Sequence, residues 1–112
     1  MSMNRSDRVA GLIKQIVGET LMFKVKNPQA RKATVHDVTV TGNLRSVKIY
    51  IGSAKEDEEK VMQALEQVKG FVRSQIAAEA KLRFTPEIQF VYDHSLEYAE
   101  NIEKLLRDLN KK

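Results

Sequence analysis

The segment from residue 81 to residue 96, KLRFTPEIQFVYDHSL, constrains the fold of this chain more than any other stretch. Proline fixes its own φ and disfavours helical backbone at the preceding residue, so Pro86 ends any helix that approaches Thr85. Apolar side chains then occupy every second position, the period of a half-buried strand; these are Ile88, Phe90 and Tyr92. Asp93 or Ser95 can accept hydrogen bonds from the free N–H groups of a helix that follows. The segment therefore predicts a strand, a tight corner and a capped last helix.

Hydrophobic periodicity predicts the other elements. In chain order they are a helix over residues 5–23 capped by Ser6, a loop over 24–32, strands over 33–41 and 46–52 that form an antiparallel hairpin, helices over 56–69 and 71–80, the strand over 87–92, and a helix from Leu96. An uninterrupted helix over 56–80 would exceed the usual ~8–20 residues, so Gly70 is interpreted as a kink. The order α-β-β-α-kink-α-β-α predicts one domain over residues 1–112. We expect a small α/β sandwich of the α+β type, with helices packed on one face of a three-stranded sheet.

Composition excludes several classes of protein. The 112 residues include no cysteine, which excludes disulfides, thiol catalysis and cysteine-ligated zinc. No apolar run approaches the ~20 residues of a membrane span, and the N-terminus lacks a signal-peptide pattern. The two histidines, His36 and His94, lie on different elements without metal-ligand spacing. We therefore expect a cytoplasmic protein that is not an enzyme, with no catalytic residues, metal or cofactor and no membrane partner.

Charge is unevenly distributed along the chain. Residues 1–55 carry ten Lys/Arg and three Asp/Glu, a net charge of +7. Residues 56–112 carry nine Lys/Arg and twelve Asp/Glu, a net charge of −3. This asymmetry indicates a basic face suited to phosphate, and the alternative is a solvated surface whose charges pair with one another.

Several motifs resemble the bacterial ribosome-binding factor A family. The pattern R-x-x-P-E-[IL]-x-F-x-x-D-x-S is present as Arg83, Pro86, Glu87, Ile88, Phe90, Asp93 and Ser95. Three further stretches agree in order along the chain, namely Arg8-Val9, the hairpin over 38–51 and G-F-V-R-S over 70–74. The resemblance implies a type II KH-like fold and a monomeric, non-catalytic factor that binds free 30S ribosomal subunits. It also implies help in late maturation of 16S rRNA, including its 5′ end, a role in cold adaptation, and no small-molecule substrate.

Candidate RNA contacts fall in three places. The loop over 24–32 carries four cations and no acid, Gly70 has a cation on each side, and the hairpin carries two more. The predicted RNA-binding residues are Lys24, Lys26, Arg31, Lys32, Arg45, Lys48, Lys69, Gly70 and Arg73. The family carries A-x-G at the kink, and this chain has Val68 at the alanine position, so a plain helix bend stays an alternative there.

Aromatic residues give weaker signals. Four of them sit on apolar patterns and are expected in the core; these are Phe71, Phe84, Phe90 and Tyr92. Tyr50 alternates with inward-facing residues, so an exposed ring that stacks on a base is an alternative to burial.

Two other functions stay open at this point. One is a protein-interaction module that docks on a ribosomal protein or an assembly GTPase. The other is a nuclease or RNA-modifying enzyme, which would require metal- or cofactor-dependent turnover. Phosphate contacts lose affinity steeply with salt and apolar docking does not, so salt dependence separates RNA binding from protein docking.

Overall fold

Three α-helices and three β-strands make up the fold in the computed structural model, which describes residues 4–110. In chain order they are α1 (Arg5–Glu19), β1 (Thr34–Val40), β2 (Ser46–Gly52), α2 (Glu58–Ala80), β3 (Glu87–Tyr92) and α3 (Ser95–Asn110). The expected α+β class with a three-stranded sheet is confirmed, and each strand lies within one residue of its expected bounds. The single-domain prediction covers residues 1–112, of which 1–3 and 111–112 lie outside the described residues.

The sheet has the strand order β1-β2-β3. Strands β1 and β2 form the expected antiparallel hairpin, with Val38 opposite Ile49. Strand β3 pairs with β2 in parallel, with Ile49 beside Phe90, so the chain must cross over between them. Helix α2 is that crossover. His36 is an extra residue between the paired positions of β1, where the register shifts.

One face of the sheet packs against α1 and α2. Val38, Ile49 and Phe90 are buried in adjacent register positions, and they meet Ile13 and Leu65 from the helices in one apolar cluster. Side chains of this size contribute about 1.5–3 kcal/mol each when fully buried. The period-2 pattern of the strands and the 3.6-residue pattern of the helices therefore meet at a common core.

Helix α1 begins at Arg5, as the sequence predicts, but a different residue caps it. Asn4 caps it, because its side-chain oxygen accepts a hydrogen bond from the Asp7 N–H at 2.9 Å. The expected cap, Ser6, lies inside the first turn and donates its hydroxyl to the same Asn4 oxygen at 2.7 Å. The assignment of Ser6 was therefore wrong, and Asn4 carries out the capping.

Beyond Glu19 the helix continues as a π-helical turn over Thr20–Lys24. The Val25 N–H closes this turn on the Thr20 carbonyl at 3.0 Å, and the buried Thr20 hydroxyl donates to the Ile16 carbonyl at 2.7 Å. The predicted helix over 5–23 thus changes its winding in the last turn. Such turns redirect side chains, and here Phe23 is turned out to solvent.

Helix α2 runs without interruption from Glu58 to Ala80, so the predicted division into two helices at Gly70 was wrong. Gly70 is exposed, its φ is not positive, and no atom lies within 4 Å of the place where a Cβ would stand. Glycine in a helix interior costs only about 1 kcal/mol relative to alanine. The burial of Leu65, Val72 and Ile76 on both sides of it outweighs that cost.

Helix α3 differs from the other two helices because none of its residues is buried. Asp93 Oδ1 accepts from the Ser95 N–H at 2.9 Å, which confirms Asp93 as a hydrogen-bond acceptor at the start of the helix. The apolar side chains with helical spacing are exposed; they are Leu96, Ile102, Leu105, Leu106 and Leu109. No helix in residues 4–110 is both long enough and apolar enough to cross a membrane.

Candidate nucleic-acid interface

Two of the four loop cations pair with carboxylates on helix α2 or on the turn before it. Lys24 Nζ lies 3.3 Å from Glu79 Oε2 and donates to Gln75, and Lys32 Nζ lies 3.7 Å from Asp57 Oδ1. Asn27 also bonds to Gln67 of the same helix. The loop itself contains no acid, but the acids that pair with its lysines lie elsewhere in the chain. These contacts hold the loop against α2 and the turn before it.

The two cations beside Gly70 also have protein partners. Lys69 lies 3.7 Å from Glu66 one turn away. Arg73 Nε donates to the Pro86 carbonyl at 2.9 Å, its Nη2 donates to the Thr85 carbonyl at 3.2 Å, and the same nitrogen lies 3.1 Å from a Glu87 oxygen. Arg73 thus fixes the connection between α2 and β3 to the helix.

The remaining predicted residues lie apart from one another. Lys26 is exposed on the loop, and Arg31 donates to the Met22 carbonyl at 3.4 Å. Lys48 stands on the outer, polar face of β2 and lines a groove together with Lys69. Tyr50, on that same outer face, is half-buried. The nine residues do not converge on one site, and their contact with RNA stays a prediction.

The structure brings together a group of residues that the sequence analysis did not combine. Arg5 at the start of α1, Arg45 after the β1–β2 turn, and Arg83 and Phe84 before Pro86 line one recess of about 150 Å³. We call these four residues the arginine corner. The Arg45 guanidinium carbon lies 4.4 Å from the centre of the Phe84 ring, and that of Arg83 lies 5.4 Å from it. Asn43, Leu44 and Leu82 complete the lining, so the recess contains no carboxylate.

Two of the four aromatic assignments to the core were wrong. Phe84 is 49% exposed and Phe71 is 42% exposed, whereas Phe90 is buried as expected and Tyr92 is half-buried. Phe84 lies between the end of α2 and Pro86, where neither the helical nor the strand period applies. The sequence signal that could have indicated a surface position is an aromatic residue next to an arginine in a connection of this kind.

Backbone hydrogen bonds hold the arginine corner in place. In the β1–β2 turn the Leu44 N–H donates to the Thr41 carbonyl at 2.9 Å, with Leu44 itself in the left-handed region at φ 59°. Asn43 Oδ1 accepts from the Arg45 N–H at 3.1 Å. The Glu87 N–H then donates to the Arg45 carbonyl at 2.9 Å, which joins the turn to the start of β3. The backbones that carry Arg45 and Phe84 are therefore connected through the sheet.

The other end of β3 carries histidines and acids. His36 Nδ1 lies 2.9 Å from Asp93 Oδ2, and this hydrogen bond is the main reason why the pKa of Asp93 is lowered to about 2. His94 Nδ1 lies 2.8 Å from Glu97 Oε2, which raises the pKa of His94 and lowers that of Glu97. Glu58 lies 3.3 Å from the other ring nitrogen of His94. Within residues 4–110, no group of three or more histidines and acids is arranged to hold a metal ion.

The fold is similar to that of solved structures of ribosome-binding factor A. The crystal structure of ribosome-binding factor A from Thermus thermophilus superposes with a TM-score of 0.71 at 18% identity, covering 80% of this chain and 97% of that one. A homology model of the Thermus thermophilus factor, fitted into a cryo-EM map of a 30S–RbfA complex, superposes with a TM-score of 0.64 at 19% identity. It covers 76% of this chain and 91% of its own. These likenesses establish the class of fold.

Sequence comparison identifies the family within that class. The family model of ribosome-binding factor A matches residues 5–106. Ribosome-binding factor A of Staphylococcus carnosus is 41% identical over 100% of this chain and 99% of its own length. The chain belongs to the ribosome-binding factor A family.

Proposed function

We propose that this protein is an assembly factor that binds the free 30S ribosomal subunit in the cytoplasm and contacts its 16S rRNA. The proposal extends to late maturation of 16S rRNA, including its 5′ end, and to growth in the cold. The observation that supports it is family membership across residues 5–106, together with a relative's structure fitted into a 30S complex.

The proposed mechanism is non-catalytic. A protein that binds one rRNA conformation more tightly than another shifts the population toward the first, and no bond needs to form or break. Cationic side chains would supply the affinity through phosphate contacts, which release counterions. Among the predicted contacts, Lys24, Lys32, Lys69 and Arg73 lie beside carboxylates. The other four cations, which have no carboxylate within 4.0 Å in the described part of the chain, are better placed to meet phosphate; these are Lys26, Arg31, Arg45 and Lys48.

Sedimentation tests this proposal directly. Lysate is separated on a sucrose gradient and each fraction is probed for the protein. We expect it to co-migrate with free small subunits and to be absent from whole ribosomes. Migration only at the top of the gradient, in lysate from cells grown both warm and cold, would contradict the proposal.

A second candidate function is favoured by helix α3. Its exposed leucines include Leu105 and Leu109, and its four acids and two bases give residues 95–110 a net charge of −2. An apolar stripe with acidic flanks is suited to a basic protein partner, such as a ribosomal protein. Docking through the apolar stripe predicts only a shallow loss of association as salt rises, because salt screens the flanking charges alone, whereas rRNA contact predicts a steep loss.

A further inference from the structure

We propose that the arginine corner is a binding site for an unpaired nucleotide, whose base stacks at Phe84 and Arg45 and whose phosphate meets Arg5 and Arg83. This inference rests on the proposed function, since it specifies which feature of rRNA the protein recognises. It concerns Arg45 of the predicted contacts and three residues outside that set.

The first argument is the exposed planar surface. Phe84 exposes about half of its surface, and the Arg45 guanidinium carbon lies 4.4 Å from its ring centre. Bases splayed out of a helix stack on aromatic rings and on guanidinium planes. An aromatic ring that carries a guanidinium offers both kinds of surface at one place. The contact also restricts the motion of Arg45, so less side-chain entropy is lost on binding.

The second argument is the charge at the recess. Three arginines converge there from three different elements, and none of the three forms a salt bridge within the described part of the chain. By contrast, Lys24, Lys32, Lys69 and Arg73 each have a carboxylate within 4.0 Å. Guanidinium groups match the geometry of phosphate oxygens through paired N–H donors. The corner is therefore a place where an anion gains contacts without displacing a carboxylate.

The third argument is the rigidity of the platform. The Arg45 carbonyl is bonded to the Glu87 N–H, and Arg73 holds the carbonyls of Thr85 and Pro86 directly after Phe84. Both halves of the corner are thereby fastened to the sheet and to α2. A site that is organised before binding avoids the cost of ordering a loop.

The shape of the site favours an unpaired nucleotide over a duplex. A paired base has its faces covered by its neighbours in the stack, so it cannot reach Phe84, and a duplex would present only its phosphates. Asn43 and the backbone of the turn line the same recess and can hydrogen-bond to the edge of a base. Stacking tolerates every base, so we expect a preference for single strands without strong sequence dependence.

Fluorescence anisotropy tests this inference with a labelled single-stranded oligoribonucleotide of about ten adenosines and a blunt duplex of the same length. We expect the wild type to prefer the single strand. Phe84→Ala should weaken binding of the single strand by about 5- to 150-fold, the effect of losing one stacked base. Arg45→Lys keeps the charge but loses the plane, and should weaken binding by about 2- to 5-fold with an unchanged salt slope.

Helix α3 supplies matched controls. Tyr98→Ala removes another exposed aromatic ring and Arg107→Lys alters another exposed arginine, both outside the corner. Both controls should bind the single strand as the wild type does. Thermal unfolding of each variant shows that it is folded, and Arg45→Lys keeps the test informative should Phe84→Ala be unstable.

Three results of the measurements with these RNAs would overturn the inference. The first is equal binding of the single strand by Phe84→Ala and the wild type. The second is wild-type binding of the duplex that is at least as tight as its binding of the single strand. The third is no measurable binding of the single strand by the wild type. A polyglutamate peptide that binds in place of RNA and is lost in Phe84→Ala would assign the corner to an acidic protein segment, which also overturns it. Co-sedimentation with small subunits is a separate measurement, which distinguishes failure of this inference from failure of the proposed function. If wild type and Phe84→Ala co-sediment equally, this inference fails and the proposed function stands.

Discussion

The loop over residues 24–32 and the arginine corner are both rich in cations, but these cations have different neighbours in the folded protein. In the loop, Lys24 and Lys32 face Glu79 and Asp57 at 3.3 and 3.7 Å. In the corner, Arg45 and Arg83 face the ring of Phe84, and no carboxylate lines their recess. The comparison shows that the number of cations in a stretch of sequence does not give the charge that a ligand meets.

The physical reason is the distance between partners along the chain. Glu79 is 55 residues from Lys24, and Asp57 lies on the turn before α2, so only the packing of the loop on that helix pairs them. Exposed pairs of this kind contribute about 0–1 kcal/mol each. Their main consequence here is that a phosphate would have to compete with a carboxylate. A cation beside an aromatic ring faces no such competitor.

The largest effect should come from reversing charge at the corner. Arg45→Glu with Arg83→Glu should weaken association with small subunits by roughly 100-fold or more at moderate salt, since two contacts worth about 1–3 kcal/mol each are replaced by repulsion. The matched control is Lys24→Glu with Lys32→Glu, which changes the net charge by the same amount. Co-sedimentation across a salt series measures both. Equal losses in the two double variants would mean that net charge alone matters and would remove the distinction between the regions.

A smaller effect, on stability, is expected at Arg73. Arg73→Ala removes two hydrogen bonds to backbone carbonyls and a salt bridge, and should lower the free energy of unfolding by about 1–2 kcal/mol. Each kcal/mol lost corresponds to a fall of about 4–8 °C in the thermal midpoint. Lys69→Ala, which loses only an exposed pair, is the control. If Arg73→Ala unfolds like the wild type but loses subunit binding, Arg73 belongs to the interface and does not act as a clamp.

A gain in stability is expected at Gly70. Gly70→Ala should raise the free energy of unfolding by up to about 1 kcal/mol, because the helix is continuous and the added Cβ meets no atom within 4 Å. Subunit association should be unchanged. Weaker association in a stabilised Gly70→Ala protein would show that the backbone approaches RNA closely at this point, contrary to the assignment of the RNA contact to the arginine corner.

The smallest effect should appear as a pH dependence at the acidic end of β3. The folded-state pKa of His94 is raised above its ordinary 6.5 by the hydrogen bond to Glu97, so the folded protein binds this proton more tightly than the unfolded chain does. The resulting stabilisation is fully present below about pH 6.5 and is lost as pH rises through the raised value. The thermal midpoint should therefore change less between about pH 6 and pH 8 in His94→Gln than in the wild type. A wild type whose stability increases over that interval would contradict the assigned pairing.

Much of the fold followed from local patterns in the sequence. The strand over 87–92 was predictable because Pro86 and the alternation at Ile88, Phe90 and Tyr92 act within a few residues. The continuity of α2 was not, since the cost of Gly70 is small and the burial that outweighs it comes from contacts with other elements. The sequence also did not predict that α3 is exposed. An amphipathic pattern shows which face of a helix is apolar, but it does not show whether another element covers that face.

The candidate site was less predictable than the fold. The arginine corner is assembled from residues 5, 45, 83 and 84, which approach one another only after β2 and β3 pair in parallel. Sequence spacing could indicate cations and aromatics one by one. It could not show which cations the fold neutralises, because those partners come from distant parts of the chain.

Hydrogen–deuterium exchange with and without purified small subunits tests the central claim most directly, since it reports on both regions in one unmodified protein. We expect amide protection on binding in residues 41–46 and 81–87, which carry the arginine corner, and little change in residues 24–32. Protection confined to residues 24–32, with the corner exchanging as in the free protein, would contradict the claim that the arginine corner is where this protein meets rRNA.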